Sequence, residues 1–221
     1  MPEIKHLIFD CDGVLVDSEY VAVNIMLRLL KPYGYTASFE EFSSQFTGML
    51  DTAILAHLRE HEGLPLPDDF YHQIESERDR AYLEEIEAVP GMPALIKSLK
   101  IPKSVVSNSH VFHVKLSLKI CGLEEVFGEY IYSSEHVAHP KPHPDVYLHA
   151  LASRNLSPQE VLVIEDSLTG VQAATSAGCK VIGFAGARHV GTAHMKKLAS
   201  MGVEQVAASA HELEKILGAY L

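Results

Sequence analysis

The amino-acid sequence predicts an α/β protein: a parallel sheet with helices on both faces, interrupted after its first strand by an all-helical insertion. Three observations carry this expectation. Beyond Pro90-Gly91, short apolar runs alternate with helical stretches, the signature of strands joined by crossover helices. One further apolar run, His6-Leu7-Ile8-Phe9, stands alone near the start of the chain and stops abruptly at Asp10. Between the two lies a long segment of helical signal with no convincing strand.

The elements follow in order. After the first strand, Asp17-Ser18 reads as a helix start, with a carboxylate where the helix dipole favours one. Val21, Ile25 and Leu29 then recur with helical period, and Lys31-Pro32-Tyr33-Gly34 ends the run. A second helix is expected over 53–60, stopped by Gly63, and a third opens at Leu64-Pro65-Leu66-Pro67-Asp68-Asp69 and runs through Ile74 and Tyr82 to Ile86. The later strands are expected at 104–106, 130–132, 161–164 and 180–184. Helices fit between them at 111–120, 144–153 and 168–177, and an amphipathic helix at 211–217 closes the chain. Residues 1–15 and 89–221 thus read as one α/β domain, and 16–88 as a helical domain inserted into it.

Composition narrows the function classes. The chain of 221 residues is 47% hydrophobic and 21% charged, ordinary for a globular protein with a sizeable core. No apolar run approaches the ~18–20 residues needed to span a bilayer, and the first residues lack the order of a secretory signal. Cys11, Cys121 and Cys179 are sparse and odd in number, which argues against a disulfide framework or a zinc site and for a reducing, cytoplasmic setting. His136, His139 and His143 lie close in sequence, but prolines break their spacing and no zinc pattern results. The formal charge of −11 disfavours nucleic acid and anionic membranes as partners. That charge is concentrated: residues 16–89 hold fifteen acids against five bases, whereas the rest of the chain is nearly balanced.

The polar residues that could do chemistry cluster where the expected strands end. The first strand runs into Asp10-Cys11-Asp12-Gly13, the second into Ser107-Asn108-Ser109, and the fourth into Glu165-Asp166-Ser167; Lys141, between two prolines, follows the third. In open parallel sheets, ligands bind in the crevice beyond the carboxyl ends of the strands. These groups should therefore converge. Four carboxylates brought together raise one another's pKa and call for a hard cation such as Mg2+. Lys141 adds positive charge and Ser107 a hydroxyl, so the expected ligand is anionic and oxygen-rich, with phosphate the natural choice. Taken singly the same residues have bland readings: Asp12-Gly13 as a turn, Ser107 as a strand-terminal cap, Lys141 as a loop residue, Glu165-Asp166 as partners of a helix dipole. Ser167 reads as a helix cap, Asp17-Ser18 as a cap and hinge element, and Cys11 as a packing residue. The small residues Gly170, Ala173, Ala174, Ala177 and Gly178 suit close helix–sheet packing.

Four stretches together resemble the haloacid dehalogenase superfamily, in particular its phosphatases with a helical cap inserted after the first strand, of the β-phosphoglucomutase and phosphogluconate phosphatase type. They are Asp10-Cys-Asp-Gly-Val-Leu-Val-Asp-Ser18, Val106-Ser-Asn108, Lys141-Pro-His-Pro-Asp-Val-Tyr147 and Val163-Ile-Glu-Asp-Ser167, and the likeness covers nearly the whole chain. The resemblance implies a Rossmann-like catalytic core, an all-α cap over 16–88, and a Mg2+-dependent phosphatase acting on a small phosphorylated metabolite. It implies Asp10 as nucleophile and Asp12 as general acid and base. Ser107 and Lys141 would hold the transferring phosphoryl group. Asp10, Asp166 and the Asp12 carbonyl would ligate Mg2+, with Glu165 assisting or just outside. Superfamily members that cleave carbon–halogen bonds lack the second aspartate, so Asp12 favours phosphate esters.

The stretch Phe46-Thr47-Gly48-Met49-Leu50-Asp51 is expected to face the site, with Thr47, Gly48 and Met49, together with Asn108, touching the substrate. Mutases of the superfamily resemble a pattern with an arginine in this stretch to hold a second phosphate. Thr47, Met49 and Leu50 supply no such cation, which favours a sugar, sugar-alcohol or sugar-acid monophosphate and leaves a β-phosphoglucomutase-like mutase as the alternative. A signalling receiver also uses clustered aspartates, a hydroxyl and a lysine on a parallel sheet, but it is shorter, has no cap, and its lysine comes last, whereas here an acidic pair follows Lys141. A monomer is expected.

Overall fold

The structure is a computed structural model that describes residues 3–46, 49–188 and 190–221. Packing divides it into two compact units, one running up to Asp17 and resuming over Glu87–Leu221, the other Ser18–Ile86.

The first unit is the sheet. Its strands are β1 (His6–Phe9), β2 (Lys103–Ser107), β3 (Ile131–Ser133), β4 (Val161–Glu165), β5 (Lys180–Phe184) and β6 (Gln205–Ala207), in the order β3-β2-β1-β4-β5-β6. All pairings are parallel. Strands β1 and β4 are buried along their whole length, as expected of strands covered on both faces. From β1 the chain crosses to β2 and β3 on one side and then to β4, β5 and β6 on the other. The reversal lies between β1 and β4, so the crevice favoured for ligands opens at the end of β1, where Asp10 begins.

Helices cover both faces: α5 (Met92–Ser98), α6 (Val111–Ile120), α7 (Glu124–Phe127), α8 (Asp145–Arg154), α9 (Leu168–Ser176), α10 (Thr192–Ser200) and α11 (Ala210–Leu217), the four helices that precede them in the chain falling in the other unit. Ala173 and Ala174 of α9 pack with Val163 and Val181 of the sheet. The Ser167 hydroxyl caps α9 by accepting from the Gly170 amide at 3.0 Å.

Several elements escape the sequence pattern, the four-residue α7 among them. Strand β6 is a three-residue edge strand in which only Ala207 is buried, too short and too polar to show alternation. In α10 only Leu198 is buried, so no apolar stripe marks it. Helix α5 is seven residues long, less than the span over which periodicity reads clearly.

The second unit is helical: α1 (Ser18–Leu30), α2 (Phe39–Phe46), α3 (Asp51–Glu60) and α4 (Phe70–Glu84). Helix α1 ends in a 3-10 turn over Lys31–Tyr33, closed by Gly34 at φ 93°. Helix α4 starts later than its Pro-rich approach suggested, because Leu64 and Leu66 are buried in non-helical chain before it. Met26, Leu30, Phe42, Leu58, Phe70 and Ile74 form its own apolar core, each fully buried large side chain contributing roughly 1.5–3 kcal/mol. Two linkers tie this unit to the sheet unit, and they pair with each other. Val16 and Ala88 form an antiparallel bridge, Asp17 N–H donates to Glu87 O at 2.9 Å, and Val89 N–H donates to Leu15 O at 3.0 Å. Among the described residues, no helix is long and apolar enough to cross a membrane.

Candidate active site

The strand ends bring the predicted residues together. Asp10 follows β1, its N–H bonded to Ile164 O of β4 at 2.9 Å, and its side chain is buried. Lys141 reaches it from 131 residues away: Nζ donates to Asp10 Oδ1 at 2.6 Å, to Glu165 Oε1 at 3.1 Å and to Val106 O at 3.1 Å. The lysine is itself buried and lies 5.1 Å from the ring centroid of Tyr147, so an aromatic face backs the ammonium. Three carboxylates, Asp10, Glu165 and Asp166, each present an oxygen within 4.8 Å of the others.

Burial and mutual repulsion set the electrostatics. Burial first, then the Glu165 charge, push the Asp10 carboxyl up to about 8, against the pull of Lys141. Burial, Glu165 and Asp10 likewise hold Asp166 well above the usual aspartate value. Burial works against the Lys141 charge, but Asp10 and Glu165 beside it outweigh that and keep its pKa above the ordinary lysine value. One ammonium among three buried carboxylates leaves an excess of negative charge. A hard divalent cation with oxygen ligands relieves such an excess, and the residues present fit one.

Asp12 behaves differently. Its Oδ2 accepts from the Ser109 hydroxyl at 2.7 Å and from Ser107 Oγ at 3.3 Å, and its carboxylate is outside the three-carboxylate cluster. The Ser109 hydroxyl, for which the sequence predicts no role, holds Asp12 more closely than Ser107 does. A serine two residues past a strand end, with its side chain returning to the same side, was the available signal. Asn108 has a structural role as well. Its side-chain amide donates to Lys141 O at 3.1 Å and accepts from Lys141 N–H at 2.9 Å, so it clamps the lysine loop.

Two glycines make the site geometrically feasible. At Gly13 the backbone is left-handed, φ 79°, and a Cβ there would sit 1.9 Å from Asp166 Oδ2. At Gly170 a Cβ would lie 1.6 Å from Glu165 Oε1. The glycine expected to serve helix–sheet packing therefore makes room for a buried carboxylate. Glu165 is further held by the Ser167 N–H at 3.3 Å and Ser167 Oγ at 3.1 Å. His194 of α10 meets Asp166 O at 2.6 Å, a contact no sequence pattern announced.

In the helical unit, Met49 borders a small pocket with Glu19, Phe42, Ser43 and Asp51. Thr47 and Gly48 lie outside the described residues.

A parallel sheet carrying a lysine, two hydroxyls and clustered acids at its topological switch point defines an enzyme that handles oxyanions. The chain belongs to the haloacid dehalogenase-like hydrolase family, which it matches over residues 7–184, and it is a phosphoric monoester hydrolase. It is similar to the 6-phosphogluconate phosphatase of Escherichia coli K12, 28% identical over 190 residues that cover 86% of each chain. The fold closely matches an HAD family hydrolase of Deinococcus radiodurans R1 with bound phosphate and sodium (TM-score 0.89, 30% identity, 98% of this chain and 96% of that one). It also matches a putative β-phosphoglucomutase of Thermotoga maritima (TM-score 0.79, 27% identity, 99% and 100% covered).

Proposed function

We propose that the protein is a Mg2+-dependent phosphatase of a small metabolite, a sugar, sugar-alcohol or sugar-acid monophosphate, working through an aspartyl-phosphate on Asp10. One observation carries the mechanism: two carboxylates two residues apart have different environments. Asp10 is buried against an ammonium, and Asp12 is held apart by serine hydroxyls.

Asp10 attacks phosphorus, and the bond to the leaving oxygen breaks as Asp12 delivers a proton to that oxygen. The acyl-phosphate on Asp10 is then cleaved by water, whose proton returns to Asp12 as inorganic phosphate departs. Lys141 and Ser107 hold the transferring oxygens. Lys141 is positioned for this by Asn108 and Tyr147. Asp10, Asp166 and the Asp12 carbonyl would hold Mg2+, with Glu165 steadying Lys141 and contributing charge behind them. When bound, the cation offsets carboxylate charge and stabilises charge on the phosphoryl oxygens. We assign the inserted helical segment the role of a cap that selects the leaving group, with Thr47, Gly48 and Met49 as its candidate substrate contacts.

The E. coli relative's substrate, a phosphorylated sugar acid, supports the substrate class. The mutase reading is the alternative, supported by the likeness to the Thermotoga protein. Phosphate release from a panel of sugar, polyol and sugar-acid monophosphates, with and without Mg2+, separates them. Asp10→Asn is expected to lower turnover by on the order of 10⁴–10⁶-fold. Isomer formation without net phosphate release would favour the mutase. Turnover retained by the Asp10 variant would refute the covalent mechanism.

A further inference from the structure

Every covalent connection between the two units runs through the paired linkers, and one side chain lies across both. Arg188, in the loop after β5, reaches Asp17 of the outgoing linker: its Nε is 3.4 Å from Asp17 Oδ2, and its own N–H donates to the same oxygen at 3.4 Å. Its Nη2 also makes a short ion pair with Glu87 of the returning linker. Asp17 and Glu87 are themselves neighbours, joined by the Asp17 N–H bond to Glu87 O. The guanidinium therefore staples the two residues at which the chain leaves and re-enters the sheet unit. The Asp17 side chain is fully buried, and a buried carboxylate needs a cationic partner. A few residues on, His194 bonds Asp166 O, so one stretch of chain grips the linkers at one end and the acidic loop at the other.

We infer that Arg188 is a positioning residue, the latch of the linker ribbon, which holds the two linkers paired and so limits how freely the inserted helical unit moves. This rests on the cap role proposed above for the helical unit. Hinges are a few element-terminal residues that absorb the change in backbone angle. A bidentate arginine across both linkers limits how far those residues can open independently. The geometry predicts that loosening the latch harms substrates that need closure more than those that do not.

Two measurements test it. Hydrogen exchange reads the ribbon directly: in Arg188→Ala the Asp17 and Val89 amides should exchange about tenfold faster or more while β1 and β4 amides keep their protection. Unchanged exchange at Asp17 and Val89 overturns the latch. Kinetics read its consequence: kcat/KM for the best metabolite monophosphate should fall about tenfold or more, and that for a small activated ester such as p-nitrophenyl phosphate by much less. Arg188→Lys should recover part of the difference. An equal fall for both substrates would mark a merely structural role and also overturn the proposal. If Arg188→Ala does not fold, Glu87→Gln removes one arm of the latch and is read in the same two ways, with a smaller effect. Should the wild-type enzyme release no phosphate at all, the functional reading fails, while the exchange experiment still decides the latch.

Discussion

The two units carry similar kinds of side chain and use charge in different ways. The sheet unit has surface ion pairs too, but it also buries charge: Asp10, Asp17, Lys141, Glu165 and Asp166 are all nearly inaccessible to solvent. In the helical unit, among the described residues, the ion pairs lie at or near the surface, Arg28 with Glu77 and Glu85, Arg80 with Glu77 and Glu84, and Arg78 with Asp51. Among its described residues, the buried polar side chain is that of Ser43. A buried charge is costly unless each partner is in place, whereas an exposed pair in water is nearly neutral in free energy. The cluster at the end of β1 is thus held against its own electrostatics, which is how sites with perturbed pKa values arise. The acidic surface of the helical unit has no such tension.

The strongest way to break this contrast is to remove the one ammonium from the cluster. Lys141→Met leaves three buried carboxylates facing one another. It should cost about 3–5 kcal/mol of stability, because breaking a buried pair strands its partner. Turnover should fall by on the order of 10²–10³-fold or more through the lost hold on the phosphoryl group. Thermal unfolding with and without Mg2+ checks the first, with Mg2+ expected to recover more stability in the variant than in wild type. A variant as stable as wild type would mean that the cluster is not strained.

Gly170→Ala comes next. In an ordinary helix the exchange is favourable by ~1 kcal/mol. Here the new methyl meets Glu165 Oε1 at 1.6 Å, and that carboxylate cannot move without losing Lys141 and Ser167. Destabilisation of about 1–3 kcal/mol is expected, with turnover down about tenfold, or ~1.4 kcal/mol in barrier. A stabilised, fully active variant would show that Glu165 is free to relocate.

Much of this site could be read from the sequence because the strands announce their ends. Val161 to Ile164 is uniformly apolar and breaks at Glu165, and His6 to Phe9 breaks at Asp10. A parallel sheet does the rest by bringing such breaks to one edge. What escaped depends on which way a side chain turns after the break. Asn108 points back to the Lys141 backbone, Ser109 to Asp12, and Tyr147 lies beside the ammonium. The Ser109–Asp12 contact joins residues 97 apart, and no local period encodes it. Gly170 was legible as a small residue, but the carboxylate it makes room for was not.

A milder effect sharpens the comparison through pH. Asp10 is pushed from its usual value near 3.8 up to about 8 in the folded protein. A carboxyl raised on folding favours the folded state while protonated. Its contribution is full below its unfolded pKa and is lost as pH climbs through about 8. Asp166 is shifted in the same direction and adds to the trend. A cation binds the deprotonated carboxylates and releases their protons. The metal-free protein should therefore lose stability from mildly acidic to mildly alkaline pH, and the rise in thermal midpoint caused by Mg2+ should grow over the same range. Each kcal/mol recovered should appear as roughly 2–4 °C. A Mg2+-induced shift that stays constant with pH would contradict the raised pKa values.

The smallest expected effect belongs to the other unit. Arg80 is half-exposed on α4, with its guanidinium 2.5 Å from Glu77 and 3.1 Å from Glu84, one turn to either side. Such pairs hold long side chains in one geometry in full contact with solvent, so attraction is offset by lost rotamer freedom and screened by salt. Glu77 also keeps a second partner, Arg28 at 2.8 Å. Arg80→Ala should leave kcat and KM unchanged and move the thermal midpoint by no more than repeated measurements scatter, at low and high salt alike. A clear loss of kcat/KM that salt reproduces in the wild type would mean that the charged face of the helical unit helps to guide an anionic substrate. The division of labour between buried and exposed charge would then have to be redrawn.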